Sequence, residues 1–380
     1  MSKWSGKYVI GLTGNIGTGK SVVRKMLEHM GAYGIDADSL AHRAITIGAP
    51  GYQPVIESFG KYILDPDGQI NRTKLARLTF GDAEAIAQLE RIVHPLVEQA
   101  TDLIIRRSNQ PIIVIEAIKL LESNLHNYCD SIWVVFAPPE IQLTRLVQKR
   151  HMTEVEARQR MEAQPSQESK MAAADVVIRN VASYEDTWRQ LTAAWQKIVP
   201  AAESDASPSP PQPAIAVGEM VTERGKPRHS DEIAGFLNRV QKLNPPIGRA
   251  EIMAAFGEKA FILLEAGTRL VGVVGLQVEN LVARTIDMII DPVVPANLAL
   301  PIIVSEIERS SRDLQCEASL IFVPRELGQH ELLWKSLGYE RRAPQALGIL
   351  AWQEAALESQ PPDTDLFFKQ LRQDRILRPI

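Results

Sequence analysis

The stretch that decides the fold is "GLTGNIGTGKS", residues 11–21. It follows the apolar run Tyr8-Val9-Ile10, which reads as a strand. Gly14, Asn15, Ile16, Gly17, Thr18, Gly19, Lys20 and Ser21 match G-x-x-x-x-G-K-[ST], the P-loop. In such a loop the glycines let backbone N–H groups turn inward around phosphate oxygens, and the positive end of the next helix adds to the attraction. Lys20 can reach the β- and γ-phosphates as a point charge, and the Ser21 hydroxyl can ligate Mg²⁺. Val22, Val23, Met26 and Leu27 follow at helical spacing, so the loop sits between a strand and an amphipathic helix. An accidental glycine-rich turn would lack both flanks. The expected ligand is a nucleoside triphosphate with Mg²⁺, held by residues 14–22.

Outward from the loop, strand candidates fall at 8–13, 32–35, 112–115, 132–136 and 176–178. The central ones are nearly continuous apolar runs, as in strands covered on both faces by helices. Helical patterns fill the gaps, which predicts an α/β fold with a parallel sheet. Residues 40–110 show helical periodicity and no convincing strand, which reads as a helical insertion beside the sheet.

Asp36 and Asp38, in "IDADSLAH", come just past the second strand, on the same sheet edge as the P-loop. A carboxylate there can take the proton of a hydroxyl that attacks the γ-phosphorus. Either aspartate can equally be a cap for the helix that starts near Ser39. Glu116 ends the third strand at that edge, within reach of Mg²⁺ through water.

The bulk numbers exclude other classes. The net charge of −4 and pI near 6.0 give no basic surface for a nucleic acid. Cys129 and Cys316 lie far apart and form no CxxC pair, so neither a disulfide framework nor a zinc site is expected. No apolar run approaches the roughly 18–20 residues that cross a bilayer, and the N-terminal apolar stretch is too short for a signal peptide. The expected location is cytoplasmic. Residues 200–213, "PAAESDASPSPPQP", are crowded with proline and serine and read as an extended linker. The expected domains are therefore 1–199 and 215–380, joined by 200–214.

The first domain resembles the dephospho-CoA kinases. The likeness runs through "GLTGNIGTGKS", "IDADSLAH", "GAPGYQPVIESFG", "ILDPDGQINRTKLARLTF", "IVHPLVEQ" and "RMEAQPSQESKMAAADVVIRN", over about residues 8–195. It implies ATP-dependent phosphorylation of the ribose 3′-hydroxyl of dephospho-CoA. It makes Asp38 the general base, with Asp36 beside it at the acceptor. Arg150 is the first choice among the lid arginines to stabilise the transferring phosphoryl, and Arg145 the second. Arg suits that task through its planar fork and permanent charge. A solvated helix face is the alternative for both. Asn180 resembles the position beside the adenine, and His94 the part that grips the acceptor, although His94 can equally be a structural histidine. One departure is "VIEAIKLLES", where the family has a Pro-Leu-Leu-like stretch. The alternative acceptor is another small-molecule hydroxyl.

The second domain reads as α+β. Residues 260–291 form a meander of Val-, Ile- and Leu-rich strands, followed by a helix at 301–312, a strand at 319–323 and a helix at 330–337. The order resembles the GNAT acyltransferases, best in "HELLWKSLGYERR". Where that family cradles a pyrophosphate in a glycine-bearing loop, this chain reads "DPVVPANLALPIIV", with prolines and no glycine. A non-catalytic binding or assembly module is therefore expected, with a bifunctional kinase–acyltransferase as the alternative. The tail "DLFFKQLRQDRILRPI" mixes apolar and basic residues at helical spacing.

Overall fold

The computed structural model describes residues 4–79, 82–150, 152–199, 220–279 and 281–372. The expected linker at 200–214 lies outside the described residues. The chain forms two compact units. The first takes the chain up to Lys20 and then Gly31–Val181; the second takes Ser21–Met30 and the chain from Ala182 onward.

The first unit is built on β1 (Tyr8–Thr13), β2 (Tyr33–Asp36), β3 (Ile112–Glu116), β4 (Ser131–Phe136) and β5 (Val176–Arg179). Their order is β2-β3-β1-β4-β5, and every pairing is parallel. Val9, Ile10 and Leu12 of β1, and Ile113, Val114 and Ile115 of β3, are fully buried, which is why both read as unbroken apolar runs. Register places the chemistry: Leu12 pairs with Glu116, and Glu116 pairs with Asp36. Three neighbouring strands thus end at one edge, where the P-loop begins.

The loop leads into α1 (Lys20–His29), and β2 leads into α2 (Ala37–Ala44). The expected insertion is present as α3 (Tyr52–Phe59), α4 (Arg72–Thr79) and α5 (Ala83–Arg107). Asp82 caps α5 by accepting from the amides of Glu84 and Ala85. The 25 residues of α5 span about 37 Å at 1.5 Å each, and α2, α3 and α4 pack along it. After β4 come α6 (Pro139–Arg150), α7 (Glu154–Glu162) and α8 (Gln167–Ala172).

The second unit includes α9 (Tyr184–Trp195) and a seven-stranded sheet. In chain order its elements are β6 (Met220–Arg224), α10 (Ser230–Gln241), α11 (Arg249–Ala255), β7 (Ala260–Ala266), β8 (Arg269–Glu279) and β9 (Val282–Ile290). Then come α12 (Ala296–Asp313), β10 (Ala318–Pro324), α13 (Arg325–Gly328), α14 (Glu331–Ser336), β11 (Glu340–Arg341), α15 (Leu350–Ser359) and β12 (Thr364–Gln370). The sheet runs β11-β12-β10-β9-β8-β7-β6, antiparallel except between β9 and β10. Trp334 stacks on Phe367 at 4.5 Å in its core. The last turns of α1 belong to this unit: the His29 Nε2 lies 2.7 Å from the Phe256 carbonyl oxygen, and the Lys25 Nζ donates to the Val278 carbonyl at 3.2 Å.

Two expectations are corrected here. The segment Thr364–Gln370 of the tail is a strand, not a helix, and lies inside the sheet between β10 and β11. Leu366, Phe367 and Phe368 are all buried, so their consecutive run is that of a strand covered on both faces. The helix expected at 301–312 begins at Ala296, with Pro301 inside it. Pro301 removes one intrahelical bond. The buried stripe Ala299, Leu300, Ile303, Val304 and Ile307 outweighs that loss.

Candidate active site

The P-loop conformation explains its glycines. Gly14 has φ 149°, and a Cβ there would lie 2.4 Å from the Val135 carbonyl oxygen. Gly19 has φ 91°, and a Cβ there would lie 2.2 Å from the Asn180 Nδ2. Any side chain at either place would collide or force the loop open. Gly17 also has positive φ, at 78°. Thr18 is buried, and its hydroxyl donates to the Asn15 carbonyl at 2.8 Å.

Two side chains clasp the loop, one from just past β5 and one from α6. The Asn180 amide donates to the Thr18 carbonyl at 2.9 Å. Arg145 donates to the carbonyls of Gly17 (3.3 Å), Thr18 (3.1 Å) and Asn180 (2.9 Å). The segment between α7 and α8 holds the loop's tip. Asn15 donates to the Pro165 carbonyl at 2.9 Å, and the Ile16 amide donates to the Gln164 Oε1 at 2.8 Å. The Ile16 side chain packs with Leu146 and Ala157. The Val22 side chain points to Gly257, where its Cγ1 lies 3.1 Å from a Cβ built there.

Lys20 is only 7% exposed, and its Nζ lies 3.3 Å from the Asn15 carbonyl oxygen. Burial pulls its pKa down, while the carboxylates of Glu116 and Asp38 support its charge. Arg150 stands exposed at the end of α6, and its charge also reaches Lys20. Glu116 is buried at the end of β3.

The two aspartates have different partners. Asp36 is the N-cap of α2 and accepts from the Ser39 amide at 2.8 Å. Asp38 instead accepts from the Ile118 amide at 3.2 Å. Burial pushes the Asp38 carboxyl up to about 6, and the neighbouring charge of Asp36 adds to this; Lys20 and the Ile118 amide act the other way. A carboxylate poised there is well matched to proton abstraction near neutral pH.

This gives a pH test. If Asp38 must be ionised, kcat/KM falls on the acid side with an apparent pKa near 6. Asp36→Asn keeps a capping side chain but removes the negative neighbour, so the acid limb should move to lower pH. A rate profile measured from pH 5 to 9 checks it; a limb that stays in place assigns it to another group.

Asp38 also lines a cavity of about 320 Å³ among the insertion helices. Its walls include the apolar Leu75 and Val93 and the polar Arg72, His94 and Lys119. His94, on α5, is among the residues that line it.

Among the described residues no group of three or more His, Cys, Asp or Glu side chains could hold a metal ion. Mg²⁺ fits this site as an ion brought by the triphosphate and kept largely hydrated. Ser21, next to Lys20 on α1, and Glu116 are the residues that would meet it.

The sequence motifs did not single out Gln164, Thr13 or Lys170. The Thr13 hydroxyl and the Lys170 Nζ both donate to the Ile118 carbonyl, at 3.1 and 2.7 Å. Burial of a lysine is visible only in three dimensions.

The family model described as dephospho-CoA kinase matches residues 8–186. A dephospho-CoA kinase of Streptomyces avermitilis is 41% identical over 191 residues, which cover 93% of that protein and 50% of this chain. The chain belongs to the dephospho-CoA kinase family. It is accordingly an enzyme, with kinase activity. A solved Thermus thermophilus structure aligns with 99% of its own chain and 51% of this one, at 31% identity and a TM-score of 0.47. For the other half, a GNAT-family acetyltransferase structure from Staphylococcus aureus aligns over 40% of this chain and all of its own, at 12% identity and a TM-score of 0.31. This is a weak, low-identity resemblance. No helix among the described residues is long and apolar enough to cross a membrane.

Proposed function

We propose that this chain moves the γ-phosphoryl group of ATP to the ribose 3′-hydroxyl of dephospho-CoA, giving CoA and ADP. The observation that carries this reading is Asp38. It combines a raised pKa, an electrostatic partner in Lys20 and a place in the wall of the 320 Å³ cavity. The acceptor's apolar and polar parts match the mixed wall of that cavity. Its hydroxyl would give its proton to Asp38 as the new P–O bond forms. Lys20, the loop amides and Arg150 would hold the charge on the transferring group, while Arg145 and Asn180 keep the loop in shape. Mg²⁺, when bound, neutralises charge on the β- and γ-phosphates.

The test is an assay of the full chain with ATP, Mg²⁺ and dephospho-CoA. One ADP per acceptor is expected, with a product that matches CoA by mass. ATP consumption with shikimate or a nucleoside, and none with dephospho-CoA, would overturn the acceptor and favour another small-molecule hydroxyl.

For the second unit we propose binding or assembly in place of acyl transfer. At the start of α12 the Val293 amide already donates to Asp291, at 3.2 Å. Asp291 is buried and paired with Arg269 and Arg239. The Val293 amide is therefore engaged within the chain and is not free to donate to a pyrophosphate. Release of free thiol from acetyl-CoA in the presence of amine acceptors, in the same preparation, would refute it.

A further inference from the structure

Lys170 is a buried lysine with no role in the reading above. It projects from α8 and is 2% exposed. Ser166 caps that helix by accepting from the Ser169 amide at 3.2 Å. Taking an ammonium out of water costs several kcal/mol unless partners restore its solvation. The partners here point to one residue. The Lys170 Nζ donates to the Ile118 carbonyl at 2.7 Å, and the N–H of the same residue donates to the Asp38 Oδ2 at 3.2 Å. Thr13, at the end of β1, donates to the same carbonyl at 3.1 Å, and the adjacent Ala117 amide is bonded to Leu12 at 3.1 Å. Ile118 therefore links the Asp38 carboxylate to β1 on one side and to Lys170 on the other. Burial lowers the pKa of Lys170, while Glu122 and Asp38 are the carboxylates that support its charge.

We propose that Lys170 is a positioning residue for phosphoryl transfer, which fixes the Asp38 carboxylate by anchoring the backbone of Ile118. Lys170 and Thr13 anchor Ile118 at its carbonyl, and this fixes where its N–H, and with it the Asp38 carboxylate, is held. Lys170 touches neither nucleotide nor acceptor in this account. The inference rests on Asp38 as the base, and the experiment separates the two.

The experiment is a double-mutant cycle in the full chain. Lys170→Met should lower kcat by about 10- to 100-fold and leave both KM values within about threefold, since what is lost is orientation in the transition state. Lys170→Arg restores a cationic donor and should recover most of the rate. In an Asp38→Asn background, Lys170→Met should change kcat by less than about threefold, because the group it positions is gone. Thr13→Val removes the other donor to the same carbonyl with little change of shape. It should give a smaller loss of kcat that is likewise suppressed by Asp38→Asn, so the result does not depend on Lys170→Met folding well. Equal losses in both backgrounds, or a raised KM with unchanged kcat, would overturn the positioning role. If Asp38→Asn alone retains full kcat, the base assignment fails instead.

Discussion

Asp38→Asn is expected to lower kcat by about 10²- to 10⁴-fold, the usual size of general-base catalysis, with a smaller change in KM. Asparagine keeps the shape and can still accept from the Ile118 amide, so α2 and the cavity wall should stand. What disappears is the proton acceptor. Asp36→Asn should behave differently, because Asp36 caps α2 and accepts from Ser39. Its loss shifts the acid limb of the pH profile and leaves the plateau close to native. Steady-state rates for the two variants at pH 8 decide between the carboxylates. If Asp36→Asn abolishes turnover and Asp38→Asn spares it, the roles are reversed.

Lys20→Ala should lower kcat by at least about 10²- to 10³-fold, the size of losing a preorganised electrostatic donor to the transition state. Two effects add. On the proposed reading the transferring phosphoryl loses its positive partner, and the carboxylates of Glu116 and Asp38 lose a neighbouring positive charge. With Lys20 gone, the Asp38 pKa should rise above about 6, because Lys20 is one of the groups pulling it down. The acid limb should therefore move to higher pH while the plateau falls. A normal plateau with only weaker ATP binding would reduce Lys20 to a binding residue.

The parallel sheet of the first unit was legible because β1, β3 and β4 are buried on both faces, and their sequences show it as apolar runs of four or five residues. The P-loop was legible because its glycines answer a backbone need that no other residue meets. The choice between Asp36 and Asp38 was not, since capping and catalysis ask for the same side chain at the same helix end. In the fold the two carboxylates have different partners, the Ser39 amide for Asp36 and the Ile118 amide for Asp38. The strand at Thr364–Gln370 was misread because seven residues are too few to separate the two periodicities. Nothing in residues 20–29 announces that the helix after the P-loop presents His29 to the Phe256 carbonyl. Such long-range pairings are decided by packing and leave no local pattern.

The order β2-β3-β1-β4-β5 has a consequence for how the protein is made. The strand that carries the phosphate loop leaves the ribosome first, yet neither of its partners is its neighbour in the chain. β3 begins at residue 112, about 100 residues after β1 ends, which is roughly 5–20 s of synthesis at 5–20 residues per second. Over that interval the fully buried Val9, Ile10 and Leu12 have no sheet to enter. The nucleotide site is therefore assembled late, by strands that arrive after the whole helical insertion. ATP can stabilise the finished sheet but cannot template its first strand, and the nascent chain must protect that apolar segment by other means.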